Sequence, residues 1–159
     1  MNILMYHSVS AGPLPLCVSP EIFKTQMEIL DQLGLRAVST AHIRAHGLND
    51  PGVVVLTFDD GPMPGKTEKI LRALDDYGVK ATFLMVGQMA NAYPAIARKV
   101  AERGHTVGTH TQNHSNLASL GSDRAMAQIL AGQNSVAAAL RPAGLRPAPF
   151  FRFPYLAET

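Results

Sequence analysis

Val53-Val54-Val55-Leu56-Thr57-Phe58 runs straight into Asp59-Asp60-Gly61. An unbroken apolar and β-branched run of this kind describes a strand covered on both faces, as in a parallel sheet. Two carboxylates at its end place charge where the sheet stops. In parallel α/β folds the carboxyl ends of all strands share one face, and that face carries the site. The rest of the chain repeats the pattern. Ile29 to Gly34 leads into Leu35 to Val38, Leu74 to Gly78 into Val79 to Val86, and Val100 to Gly104 into His105 to Val107. Each helix-period stretch ends at a Gly, which accepts the left-handed conformation just past a helix. A looser copy ends at Ala143-Gly144 and leads into a strand over 149–153. Ile3 to Tyr6 reads as one more strand, buried on both faces. Helices are expected over about Pro20–Leu33, Gly65–Tyr77, Tyr93–Arg103 and Ser122–Leu140, capped by Ser19 and by Ser122 with Asp123. Strands alternating with helices mean βα units, hence a barrel or a doubly wound sheet.

The 159 residues are 47% apolar and 16% charged, which fits one globular domain and excludes disordered and collagen-like classes. Fourteen Lys+Arg face twelve Asp+Glu with no basic run, so nucleic acid is not an expected partner. The single Cys17 excludes an internal disulfide framework and a Cys-rich zinc site. No apolar run approaches the ~20 residues of a transmembrane span. Met1 to Ser10 lacks the cationic and apolar regions of a signal peptide, so a cytoplasmic location is the default. The length is awkward for a closed eight-stranded barrel, which needs roughly 200 residues.

Polar residues follow the strands. Asp59 and Asp60 follow one, Gly108 to His114 another, His7 the first, and Arg152, Pro154 and Tyr155 the last. A parallel sheet lets these distant groups converge on one face. His110 and His114 are four apart, which turns both imidazoles to one side of a helical turn or tight loop. Two histidines and a carboxylate with an open position form a recurrent catalytic metal arrangement, although the spacing alone favours two solvated histidines. A zincin is excluded because Thr111 stands where that motif needs Glu. The base must come from elsewhere, and Asp59 or Asp60 is the source at hand. In strand conformation their side chains point opposite ways, so one can ligate while the other takes a proton. The stretch Gly61 to Thr67 mimics a phosphate-binding loop, but three residues separate its glycines and Pro62 and Pro64 lack N–H donors. His105 reads as a core residue within a strand, and His42 and His46 as solvent-facing. His7 stands at the right end of its strand for a site role.

Thr57-Phe58-Asp59-Asp60-Gly61-Pro62, His110-Thr111-Gln112-Asn113-His114 and Arg152-Phe153-Pro154-Tyr155 resemble, in order, the first three signature motifs of the polysaccharide deacetylases (NodB homology, carbohydrate esterase family 4). Lys80 to Phe83 and Gly104 to Gly108 are similar to the same family, and Met5 to Ser8 with Val18 to Phe23 resembles the leader of one bacterial subgroup. The resemblance implies an α/β fold, a distorted (β/α) barrel incomplete at the C-terminus. It implies one partial domain over residues 1–159, with 1–50 a leader before the first motif.

The implied activity is metal-dependent hydrolysis of N-acetyl groups on a chitin-like or peptidoglycan-like polysaccharide or oligosaccharide. Asp60, His110 and His114 would hold the divalent metal, usually zinc, with cobalt, nickel or manganese as alternatives. Asp59 would be the base, oriented by Arg152. Thr111 would brace its loop, and Pro154 and Tyr155 would wall the substrate groove. Two later motifs of the family, one of which supplies the general acid, do not occur before Thr159. On this reading the chain is a fragment, or His7 replaces the acid, or the product is an inactive metal- or glycan-binding remnant. A hydrolase of another amide is a further alternative. Relatives often work at the cell envelope, and the oligomeric state stays open.

Overall fold

Strand β5 (Val53–Asp59) is buried along its whole length and organises the sheet. The computed structural model describes residues 2–10, 16–47 and 49–157. The other strands are β1 (Asn2–Tyr6), β2 (Ser8–Val9), β3 (Cys17–Val18), β4 (Arg36–Val38), β6 (Thr82–Met85) and β7 (Thr106–Thr109). The helices are α1 (Pro20–Gln32), α2 (Thr40–His46), α3 (Lys66–Asp76), α4 (Gly87–Ala92), α5 (Pro94–Glu102) and α6 (Ser122–Leu140).

Every pairing is parallel. β1 follows one edge of β5 from Asn2 opposite Val54 to Tyr6 opposite Phe58. β4 and β6 divide the other edge, β4 beside Val53 to Val55 and β6 beside Thr57 to Asp59. β7 lies outside β6. The carboxyl ends of β1, β5, β6 and β7 therefore share one side, and the β1-β5-β6-β7 order is an arc of barrel wall. β2 and β3 form a separate small pair.

Alternation along β5 sorts its side chains. Val54, Leu56 and Phe58 join the core with Tyr6, Phe23, Leu71 and Leu74 under the helices. The Phe58 ring stacks between Tyr6 at 5.4 Å and Phe83 at 5.2 Å. Thr57 and Asp59 face the other way, where Arg152 reaches both. Helix α1 starts as its sequence demands: the Ser19 hydroxyl accepts the Ile22 N–H at 3.2 Å, and Pro20 occupies the first turn, where its missing donor costs nothing.

Three expectations are corrected. No strand forms over 149–153; Phe151 makes only an isolated bridge to Thr109. Pro147, Pro149 and Pro154 remove ladder donors, and the Phe150 N–H turns back to the Ala148 carbonyl at 2.8 Å. β1 is covered on one face only, leaving Ile3 and Met5 exposed. The run over 79–86 contributes only Thr82–Met85 as strand, and α4 follows it where no helix was expected. Tyr93-Pro94 separates α4 from α5 because Pro94 opens the second helix. No helix among the described residues is long and apolar enough to cross a membrane.

Candidate metal centre

Asp60 is the first residue beyond β5 and takes φ 74°, which turns its carboxylate away from the sheet. His110 is the first residue beyond β7. His114 follows through a loop in which Thr111 (φ 65°) and His114 (φ 61°) are also left-handed. Such conformations cost a non-glycine residue roughly 1–2 kcal/mol each, so the surroundings must hold them. The Thr111 hydroxyl accepts the His114 N–H at 3.0 Å.

The three side chains converge. His114 Nε2 lies 3.1 Å and His110 Nε2 3.5 Å from Asp60 Oδ1. One donor atom from each residue falls within 4.8 Å of the others, and no other such group occurs among the described residues. Asp60 Oδ1 is buried yet accepts no hydrogen bond. A buried, unbonded carboxylate oxygen aimed at two imidazole nitrogens fits a divalent ion, and two nitrogens with one oxygen suit zinc and its neighbours.

His110 is buried, and its Nδ1 lies 2.8 Å from the Arg152 carbonyl. A carbonyl only accepts, so Nδ1 carries the proton and Nε2 presents its lone pair toward Asp60. Burial pushes the Asp60 carboxyl up, but His110, His114 and His7 outweigh it and leave the group below its ordinary range. Burial, against the pull of Asp60, lowers His114 and favours the neutral ligand form.

Asp59 points into the other side of the sheet and is 3% exposed. Arg152 Nη1 donates to its Oδ1 at 2.7 Å and to Thr57 Oγ1 at 2.9 Å. Burial nonetheless dominates: it raises the Asp59 carboxyl above its ordinary range against the opposing charges of Arg152, His110 and His7. His7, at the carboxyl end of β1, shares with Asp59 and Asp60 the wall of a cavity of about 260 Å³. Pro154 is buried, while Tyr155 is exposed and sets its ring edge-on to His114 at 4.8 Å.

The remaining histidines lie elsewhere. His105 precedes β7 and is buried against Phe83, its Nδ1 accepting the Ala81 N–H at 3.2 Å. His42 is not solvent-facing: its Nε2 lies 3.0 Å from Asp50 Oδ2, and its side chain is mostly covered. His46 is exposed. The Arg152 carbonyl was not legible as a site group, because every residue carries one and only the fold selects it.

The family model for polysaccharide deacetylase matches residues 46–159. The chain belongs to the polysaccharide deacetylase family. It is 35% identical over 153 residues to the peptidoglycan-N-acetylglucosamine deacetylase of Bacillus cereus, covering 94% of this chain and 54% of that protein. A family 4 acetyl xylan esterase from Clostridium thermocellum, solved in complex with a cobalt ion, matches at 39% identity and TM-score 0.59 over 66% of this chain and 49% of that one. The Streptococcus pyogenes deacetylase PplD in complex with acetate covers 97% of this chain and 73% of that chain at TM-score 0.79. At 20% identity that likeness is one of fold. The fold is the distorted (β/α) barrel of this family, with the described sheet forming an open arc from β1 to β7. The chain spans about half the length of the curated relatives it matches.

Proposed function

We propose that this deacetylase-family chain is a metal-dependent hydrolase that removes N-acetyl groups from an N-acetylated polysaccharide or oligosaccharide of the peptidoglycan or chitin class. The observation that carries the reading is the Asp60, His110 and His114 donor set beside an Asp59 held by Arg152. A divalent ion held by those three residues, zinc foremost and cobalt, nickel or manganese as alternatives, supplies carbonyl polarisation and a water of lowered pKa.

Asp59 takes the proton from the attacking water. Its burial raises its proton affinity, and Arg152 fixes which oxygen is engaged, leaving the other for the reaction. The Arg152 carbonyl keeps His110 in the ligating tautomer. Pro154 and Tyr155 wall the groove, and the Tyr155 N–H faces the developing oxyanion. The proton that Asp59 takes reaches the leaving amine through His7, which β1 delivers to the cavity wall shared with both carboxylates.

The test is acetate release from N-acetylated chito-oligosaccharides and peptidoglycan fragments by the zinc-loaded chain, alongside zinc content. We expect about one zinc per chain and turnover, both lost in His114→Ala. Zinc bound without turnover on either substrate would mark a metal- or glycan-binding remnant, and no zinc bound would overturn the metal reading itself.

A further inference from the structure

The loop that carries both histidines is held from outside as well as by its own Thr111–His114 hydrogen bond. Its two consecutive carbonyls, Thr111 and Gln112, accept the Gly87 and Gln88 N–H groups at 2.9 and 2.8 Å, so the first residues of α4 grip it from one side. Helix α6 packs beside α4 against the same loop. A Cβ on Gly132 would fall 2.5 Å from the Thr111 carbonyl carbon and 2.6 Å from its oxygen, and one on Gly87 would fall 2.9 Å from the Gly132 Cα. Three backbones thus meet with no room for a methyl group between them. Glycine in a helix interior weakens the helix, and here the close approach explains its use.

Side chains of α6 complete the grip. The Ser135 hydroxyl accepts from Asn91 Nδ2 at 3.0 Å and donates to Gln112 Oε1 at 2.9 Å. The Asn113 N–H donates to Gln128 Oε1 at 3.3 Å. Every residue from Thr111 to Asn113 is therefore held from outside the loop. Nothing in α6 touches Asp60, His110 or His114 through these bonds.

We infer that Gly132 and Ser135 of α6 are positioning residues that set the separation of the His110 and His114 imidazoles by fixing the loop between them. This rests on the metal reading proposed above and assigns α6 a part in it. A methyl at position 132 pushes the Thr111 carbonyl off the Gly87 N–H that donates to it, and the residue at either end of the loop moves with it. Loss of the Ser135 hydroxyl frees the Gln112 side chain and loosens the same segment by less.

The experiment measures zinc affinity by chelator competition in wild type, Gly132→Ala, Ser135→Ala and Ser135→Thr, with thermal melting of each metal-free protein. Visible spectra of the cobalt-loaded proteins report ligand geometry. We expect Gly132→Ala to weaken zinc by about 10- to 100-fold and to alter the cobalt bands. Ser135→Ala should weaken zinc by roughly 3- to 10-fold without moving the metal-free melting temperature, and Ser135→Thr, which keeps the hydroxyl, should restore it. A purely structural role would lower melting temperature and leave affinity and spectrum unchanged, which overturns the inference. If Gly132→Ala does not fold, the Ser135 pair decides alone. Wild type that binds no zinc would instead remove the metal reading on which the inference stands.

Discussion

Arg152 acts on the site through two different parts of itself. Its guanidinium holds Asp59 and Thr57, and its carbonyl holds His110. These contributions separate experimentally, because a side-chain substitution leaves the carbonyl in place. Arg152→Lys is expected to cut kcat by about 10- to 100-fold while zinc content stays near wild type, since a lysine cannot serve two acceptors with the same geometry. Loss of zinc in step with kcat would show that the guanidinium supports the ligands as well. On the proposed mechanism Asp59→Asn removes the base and leaves the proposed ligands in place, so kcat should fall by about 10²–10⁴-fold with zinc retained, measured on the same zinc-loaded preparation. The side-chain half of the candidate site was legible in the sequence as a cluster, because Asp59, Asp60, His110, His114 and Arg152 each follow or close a recognisable run. The carbonyl half was not: hydrogen-bond acceptors of the main chain have no residue code, and which one meets His110 depends on the bridge of Phe151 to Thr109.

At the scale of elements, β1 serves both the core and the site. Its five residues pair along β5, bury Tyr6 against Phe58 and Phe23, and deliver His7 to the wall beside the carboxylates. Tyr6 is the anchor, with its ring 5.3 Å from Phe23 and its hydroxyl donating to Gln26 Oε1 at 2.9 Å. Tyr6→Ala should cost about 3 kcal/mol in urea unfolding and lower turnover further by releasing His7. Tyr6→Phe, which keeps the ring and loses only the hydrogen bond, should cost about 1 kcal/mol and spare turnover. Equal costs for the two would place the anchor in the hydroxyl. Elements that carry their own local signal were readable in advance. α1, α3, α5, α6 and β5 lie within a residue or two of their expected bounds, because apolar period, caps and terminal glycines all act locally. The burial of β1 was misjudged because its unbroken apolar run suits an exposed face as well as a covered one, and only the neighbouring strands decide which.

For the molecule as a whole, His105 ties stability to pH from outside the Asp60, His110 and His114 cluster. It sits under Phe83 at the start of β7, with Nδ1 accepting the Ala81 N–H and Nε2 buried without a partner among the described residues. Burial, reinforced by Lys80, lowers its pKa from an ordinary 6.5 to about 4. The folded chain therefore keeps His105 neutral through a range in which the unfolded chain takes up a proton. The unfolded state binds more protons there, so stability rises with pH between about 4 and 6.5 and is independent of His105 above that range. On acidification the contribution is lost progressively from 6.5 downward, reaching about 2 kcal/mol near pH 5. The comparison that isolates this group is His105→Gln, whose amide oxygen can still accept the Ala81 N–H. Urea unfolding of the metal-free wild type near pH 7.5 and near pH 5 should show a drop that is about 2 kcal/mol larger than the drop in His105→Gln. Equal drops would mean that His105 gains a proton without opening the sheet. His105→Gln leaves every other ionisable group in place, so the difference between the two drops measures the cost of placing a proton between β6 and β7.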